Sequence, residues 1–222
     1  DWALKLVLII AVPAAVALVL LAEPILVTLF FYGDVMTARD MSMATLSLRA
    51  YAVGLVAFML IKVLAPGFFA RQDMRTPVRI GVIAMVSNML LNLLFVLPLH
   101  FYWEIGHMGL AAATSVSAFL NAGLLYIFLR KNKIYSPSAR WLRFSVSLLL
   151  SVVAMVAVLI LLANQLNIND SVFWQQLVWW QRAGNIVALC SAGFMTYIAC
   201  LFITGFMVAD LRGPAKATSS EN

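Results

Sequence analysis

Few residues in this sequence could do chemistry inside an apolar medium, and each stands within long runs of Leu, Val, Ala and Phe. Lys62 lies in the apolar run Ala44–Pro66, where an ammonium group is costly unless an anion, water or the membrane surface receives it. On a cavity wall it would face an anionic substrate. About one helical turn from Pro66, it could equally snorkel to the surface along its alkyl stem. Asn88 and Asn92 sit four residues apart on one helical face, and Thr114, Ser117 and Asn121 make a comparable stripe among Ala and Gly. Such stripes face protein or water rather than lipid. They either glue helices through interhelical hydrogen bonds or line a substrate path. The apolar runs contain no Asp or Glu, the carboxylates that proton relays and cation-coupled carriers use.

Enzyme chemistry is not expected. His100 and His107 fall in the loop predicted between the third and fourth apolar runs, seven residues apart around Gly106. That spacing is not a helical metal pair, and the loop position does not suit a histidine activating a serine inside the membrane. Cys190 and Cys200 are ten residues apart in the last run, on different faces of a helix, so neither a disulfide within the helix nor a metal pair is expected. They read as packing residues. No glycine-rich phosphate loop occurs, and no cofactor or metal is expected.

The elements that hold these groups follow from composition. Of 222 residues, 64% are hydrophobic and 11% charged, with a mean hydropathy of +0.98, well above the apolar share of a soluble domain. A span needs roughly 20 apolar residues. Six runs qualify: Leu4–Ala22, Ala44–Pro66, Val78–Leu97, Met108–Leu129, Leu142–Ala163 and Ala183–Val208. The fold class is therefore all-α, a polytopic membrane protein. None of the runs looks like a cleaved signal peptide, and a start at Asp1 without an initiator Met suggests an internal fragment.

If the runs alternate in direction, one side of the membrane receives eleven of the fifteen Lys and Arg residues, from Lys5 through the 71–79 and 130–143 segments to Arg212 and Lys216. The positive-inside rule makes that side, with both ends of the chain, cytoplasmic. The net charge of +6 then marks topology, and no nucleic-acid partner is expected. Pro13 predicts a kink. Ile25–Tyr32 is too short to span and predicts a separate interfacial helix, with Thr37 to Asp40 starting the next one. Gly67–Pro77 reads as a cytoplasmic loop, and Arg49 as a residue that snorkels outward. Ser147 and Ser151 give the fifth run one polar face on a helix otherwise suited to lipid tails. Trp174, Trp179 and Trp180 read as an interfacial belt, and the polar tail over 209–222 as disordered.

Three stretches carry a resemblance. KVLAPGFFARQDMRTP at Lys62–Pro77 resembles the signature of the MurJ (MviN) family of lipid II flippases, a branch of the multidrug, oligosaccharidyl-lipid and polysaccharide exporter superfamily. LFFYGDVMTARD at Leu29–Asp40 and GLAAATSVSAFLNAGLLYIFLR at Gly109–Arg130 are similar to that family's ninth-span exit and twelfth span. The resemblance implies a fourteen-helix transporter of two lobes, with this chain supplying spans nine to fourteen. Residues 1–130 would be four helices of the C-terminal lobe, 131–208 two added spans forming a groove for the lipid tail, and 209–222 a cytoplasmic tail. It implies alternating-access transport of lipid II across the bacterial inner membrane, with membrane lipids and the N-terminal half of the same chain as further partners. The family's essential cavity arginines would lie in earlier helices. On this reading Lys62, Asn88, Asn92 and Asn121 contribute to the substrate cavity, and Arg71, Asp73 and Arg75 to a cytoplasmic gate. Two alternatives stay open: a carrier of another polyprenyl-linked oligosaccharide or a drug, and a scaffold for cell-wall synthesis that transports nothing.

Overall fold

The computed structural model describes residues 1–30, 37–103, 106–132, 141–166, 174 and 177–204. Among them the chain is helical and contains no strand. Six helices follow one another: α1 Trp2–Phe30, α2 Ala38–Phe69, α3 Arg75–Trp103, α4 Gly106–Lys131, α5 Trp141–Gln165 and α6 Trp179–Ile203. All six contain segments long and apolar enough to cross a membrane. The sequence expectation for the tail 209–222 lies outside the described residues.

Thr37 starts α2 as expected. Its Oγ1 accepts the Asp40 N–H at 3.2 Å while the Asp40 carboxylate accepts the Thr37 N–H at 3.1 Å, a reciprocal capping box. At the other end α2 runs through Pro66 to Phe69, further than the expected loop allowed. Arg71 and Asp73 then donate to the Phe68 carbonyl at 2.9 and 3.2 Å, and Gln72 donates to Phe69 at 2.9 Å. This Schellman-type closure satisfies the orphaned carbonyls and places Gln72 at a φ of 59°, in the left-handed region. The Asp73 carboxylate accepts the Thr76 N–H at 3.1 Å, and α3 begins with Pro77 in its first turn. The predicted loop is thus a tight turn. His100 and His107 likewise belong to α3 and to the first turn of α4, not to a loop.

α1 carries two buried prolines, Pro13 and Pro24. Each lacks the N–H that the carbonyl four residues earlier would accept, so Ile9 and Leu20 lose their helical donors. The Tyr197 hydroxyl of α6 donates to the Ile9 carbonyl at 2.8 Å. Near Pro24, Arg49 Nε of α2 donates at 3.3 Å to the Val19 carbonyl, one residue before the freed Leu20 carbonyl, with its guanidinium 3.9 Å from the Glu23 carboxylate. Neighbours that reach the backbone let a membrane helix continue past proline. The break expected after Ala22 is therefore absent, and the residues assigned to a separate interfacial helix continue α1 as far as Phe30. Glu23 becomes a carboxylate within a span, and Arg49 binds α1 rather than snorkelling.

In cross-section the helices pack in the order α3, α4, α2, α1, with α5 and α6 paired against α1. Small residues permit the closest approaches. A Cβ on Gly54 would lie 3.0 Å from Ser115 Cα, and one on Gly109 would lie 3.1 Å from the Phe95 carbonyl. Serine hydroxyls close both seams. Ser115 donates to Ala50 and Ser117 to Ala84, each at 2.7 Å, the close packing with interhelical hydrogen bonds seen in membrane bundles. The apolar core lies in two clusters: Ala57, Leu64, Phe68, Ala118 and Leu125 between α2 and α4, and Leu21, Leu148, Met155, Leu159 and Leu189 among α1, α5 and α6.

Polar ties hold α1 against the last helices. Lys5 Nζ lies 5.8 and 5.7 Å from the ring centres of Trp141 and Phe144 at one end, a cation–π arrangement. Trp174 Nε1 donates to Thr28 Oγ1 at 3.3 Å at the other. Trp174 is 1% exposed, so it is a core residue and not part of an interfacial belt; Trp179 and Trp180 are exposed as expected. Ser147 and Ser151 are buried, Ser147 bonding Thr204 beyond α6, while Leu149, Val153 and Leu161 face outward. Cys190 and Cys200 are free thiols, and Cys190 is exposed rather than packed.

The α2–α4 seam generates a prediction. Gly54→Val drives two γ carbons into Ser115 and is expected to destabilise the bundle by about 1 to 3 kcal/mol. Thermal unfolding of the purified full-length protein in detergent measures this, and Gly54→Ala should fall between the variant and the parent.

Candidate functional site

The polar residues of interest occupy two flanks of the α2–α4 group. Along α2, Tyr51, Phe58, Lys62 and Phe69 recur at helical spacing and are all exposed, while Gly54, Ala57, Leu64 and Phe68 on the same helix are buried. Lys62 thus extends from an aromatic stripe, with no carboxylate paired to it among the described residues. Pro66 also lacks the N–H that the Lys62 carbonyl would accept, so this turn of α2 carries a cation and a weakened backbone bond together.

On α3, Asn88 and Asn92 continue the stripe of Ile80 and Ala84, which are buried. Both Oδ1 atoms are buried and lack a hydrogen-bond partner among the described residues, as do Thr45 Oγ1 and Ser47 Oγ of α2. Asn121 is half-buried one turn beyond Ser117 on α4, and Thr114 Oγ1 is spent on the Leu110 carbonyl at 2.8 Å. The two serine bonds bring Ala50 and Ala84 to similar depth on α4. From that level Ser47 lies about 4.5 Å and Asn88 about 6 Å toward the Thr37 end, and Lys62 about 18 Å toward the Asp73 end, by helical rise. Ser47 and Asn88 therefore share a layer, with Thr45 and Asn92 further toward the Thr37 end. Lys62, Asn121 and the two asparagines are spread along the helices rather than gathered at one point.

Arg71 and Arg75 are exposed and pair with no carboxylate among the described residues. Asp73 between them caps α3. Hydrogen bonds from the Thr76 side chain and N–H, then that of the Arg75 N–H and the charge of Arg79, hold its carboxyl below the usual carboxylate range. Its chemistry at this point is that of a helix N-terminus, where an anion is favoured.

A third feature was not anticipated at residue level. An apolar groove of about 560 Å³ opens among α1, α5 and α6, walled by Ile9, Ile10, Pro13, Leu159, Phe194 and Tyr197. Its signal in the sequence is faint, because the small residues Ala14, Ala17 and Gly193 that hollow it look like ordinary span residues. No cluster of three His, Cys, Asp or Glu side chains able to hold a metal occurs among the described residues.

The family model described as "Lipid II flippase MurJ" matches residues 1–177. The chain belongs to the MurJ family. A probable lipid II flippase MurJ of Vibrio cholerae is 39% identical over 216 residues, covering 97% of this chain and 39% of the relative. The Haemophilus influenzae protein of the same description is 40% identical over 205 residues, covering 92% and 38%. The lipid II flippase MurJ of Burkholderia cenocepacia is 39% identical over 216 residues, covering 97% and 40%. The chain thus spans about two fifths of the length of these curated MurJ relatives. The family match confirms the resemblance carried by Lys62–Pro77, and the fold is a multi-pass helical membrane segment, as the apolar runs predicted.

The cap at Asp73 carries a pH dependence. A folded-state value below the ordinary one stabilises the turn above the usual carboxylate range, and that contribution is lost as pH falls through the lowered value. Asp73→Asn keeps an acceptor for Thr76 and should melt close to the parent at neutral pH. Asp73→Ala should melt lower at neutral pH and lose this site's acid dependence, both read from unfolding curves across pH.

Proposed function

We propose that this chain is the C-terminal part of a flippase that moves lipid II, an undecaprenyl-diphosphate-linked peptidoglycan precursor, from the inner to the outer leaflet of the bacterial inner membrane by alternating access. Family membership carries this reading, and the relatives' names supply the cargo. The physical task is to pass a diphosphate and sugars through hydrocarbon, where an unpaired charge costs at least several kcal/mol. On this reading Lys62 lends positive field to a hydrated path shared with Asn88, Asn92 and Asn121. Its exposure beside Tyr51 and Phe58 supports that role.

The tail poses the opposite need. The groove among α1, α5 and α6 is nearly all apolar and suits an isoprenoid chain that stays in hydrocarbon while the headgroup crosses. Residues 1–130 would then serve the headgroup path, with 131–208 serving the tail. Both ends of the segment would face the cytoplasm, where Arg71 and Arg75 flank the capped Asp73 and form one side of a gate with the other lobe.

The deciding experiment depletes the full-length parent in its host and follows labelled lipid II reaching the outer leaflet. Exposure should fall while synthesis inside continues. Unchanged exposure in a strain without a second flippase would turn the reading toward another cargo or a scaffold. In the same assay Lys62→Ala should lower exposure severalfold at equal protein level, and full activity would remove Lys62 from the path.

A further inference from the structure

Tyr197 is 2% exposed, and its ring helps wall the apolar groove. Its hydroxyl donates at 2.8 Å to the Ile9 carbonyl of α1, an acceptor that is available because Pro13, four residues on, has no N–H. Both partners are groove residues, so the bond joins two of the helices that wall the groove. α6 is otherwise held by α5. Gly193, one turn before Tyr197, lets α6 approach α5 so closely that a Cβ there would lie 3.0 Å from the Leu159 side chain, and Ser147 of α5 bonds Thr204 just past α6. The α5–α6 pair is therefore a packed unit. Further polar ties to the α1 region, at Asp1, Lys5 and Thr28, are carried by Trp141, Phe144 and Trp174.

We propose that Tyr197 is a positioning residue, a latch that sets the width of the groove by docking α6 onto the carbonyl freed at Pro13. The inference rests on the lipid-tail role given to the groove above. Prolines leave α1 bendable at this level, and the hydroxyl selects one bend by satisfying the carbonyl only when α6 is seated. Breaking the bond leaves a buried acceptor unpaired in hydrocarbon, so the seated state is favoured until the groove changes shape. A tail entering or leaving the groove and the bend of α1 are thereby coupled.

The test uses the full-length protein in nanodiscs, in a cysteine-free background with nitroxide labels at Ala14→Cys and Met195→Cys. Their separation is measured by pulsed electron resonance. Tyr197→Phe keeps the ring and removes the bond; it should raise the population of long separations about five- to tenfold, the factor set by one net hydrogen bond. Pro13→Ala restores an N–H to Ile9, and in that background Tyr197→Phe should change the distribution little. In vesicles, Tyr197→Phe should also weaken the dependence of transport on prenyl chain length, which loss of fold would not do. An unchanged distribution in Tyr197→Phe, or the same change in both backgrounds, would overturn the latch. If lipid II is not the cargo, the vesicle assay fails for the parent as well, while the distance measurement still decides on the latch.

Discussion

A backbone carbonyl that loses its helical donor in hydrocarbon has no water to turn to, and each such group left bare costs several kcal/mol. α1 takes on this problem twice, at Pro13 and Pro24, and another helix answers it at Pro13. Tyr197 reaches the freed Ile9 carbonyl from α6, while Arg49 of α2 binds the Val19 carbonyl, one residue before the one freed at Pro24. These contacts make α1 the hub of the described segment, because it is where the α2–α4 group and the α5–α6 pair are joined. A helix of twenty-nine residues with two backbone gaps is a poor rod alone. Its shape is fixed by the neighbours that bind its backbone at Ile9 and Val19, so its bends belong to the packing as much as to its own sequence.

The seams away from α1 are built on a different economy. Lipid tails are as apolar as leucine, so burial alone does not drive α2 onto α4 or α4 onto α3. Close backbone contact at Gly54 and Gly109, with the Ser115 and Ser117 hydroxyls bonded across the seams, supplies dispersion and directed bonds instead. The serine bonds also set register. Each joins one residue of α4 to one carbonyl of a neighbour, and together they hold Ala50 and Ala84 at similar depth. The polar layer of Ser47 and Asn88 follows from that register rather than from any attraction between those two residues.

The number of spans was legible because apolar length is a strong signal, and Thr37 with Asp40 announced a helix start through local chemistry alone. The stripes at Asn88 and Asn92, and at Ser117 and Asn121, were legible as helical faces. What sequence could not separate was their use: Ser117 became a seam bond, while Asn88 and Asn92 did not. The misreadings share a cause. Pro24 looked like the end of a span, and Trp174 looked like an interfacial ring, because the partners that change their meaning lie far along the chain. Trp174 is answered by Thr28, 146 residues away, and Ile9 by Tyr197, 188 residues away. Arg49 reads as a snorkelling residue for the same reason, because its countercharge, Glu23, comes from another helix.

The two sides of α1 differ in how completely their polar groups are met. Toward α5 and α6, Thr28, Ser147, Ser151, Trp174 and Tyr197 all have partners. Toward α2 and α3, four buried oxygens have none among the described residues. The hydroxyls of Thr45 and Ser47 can turn to carbonyls of their own helix, as Thr114 does. An amide oxygen has no such recourse, because the N–H groups around it in mid-helix are already engaged in the helix. Whichever way its amide is turned, an asparagine presents one acceptor and two donors, and a carbonyl-rich helix surface answers only the donors. Asn88 and Asn92, one turn apart, therefore ask for an electropositive group that α2, α3 and α4 do not offer. A segment spanning about two fifths of its relatives' length has room for that group to come from outside it. The unmet oxygens mark this flank of α3 as the place where the described segment is least self-sufficient.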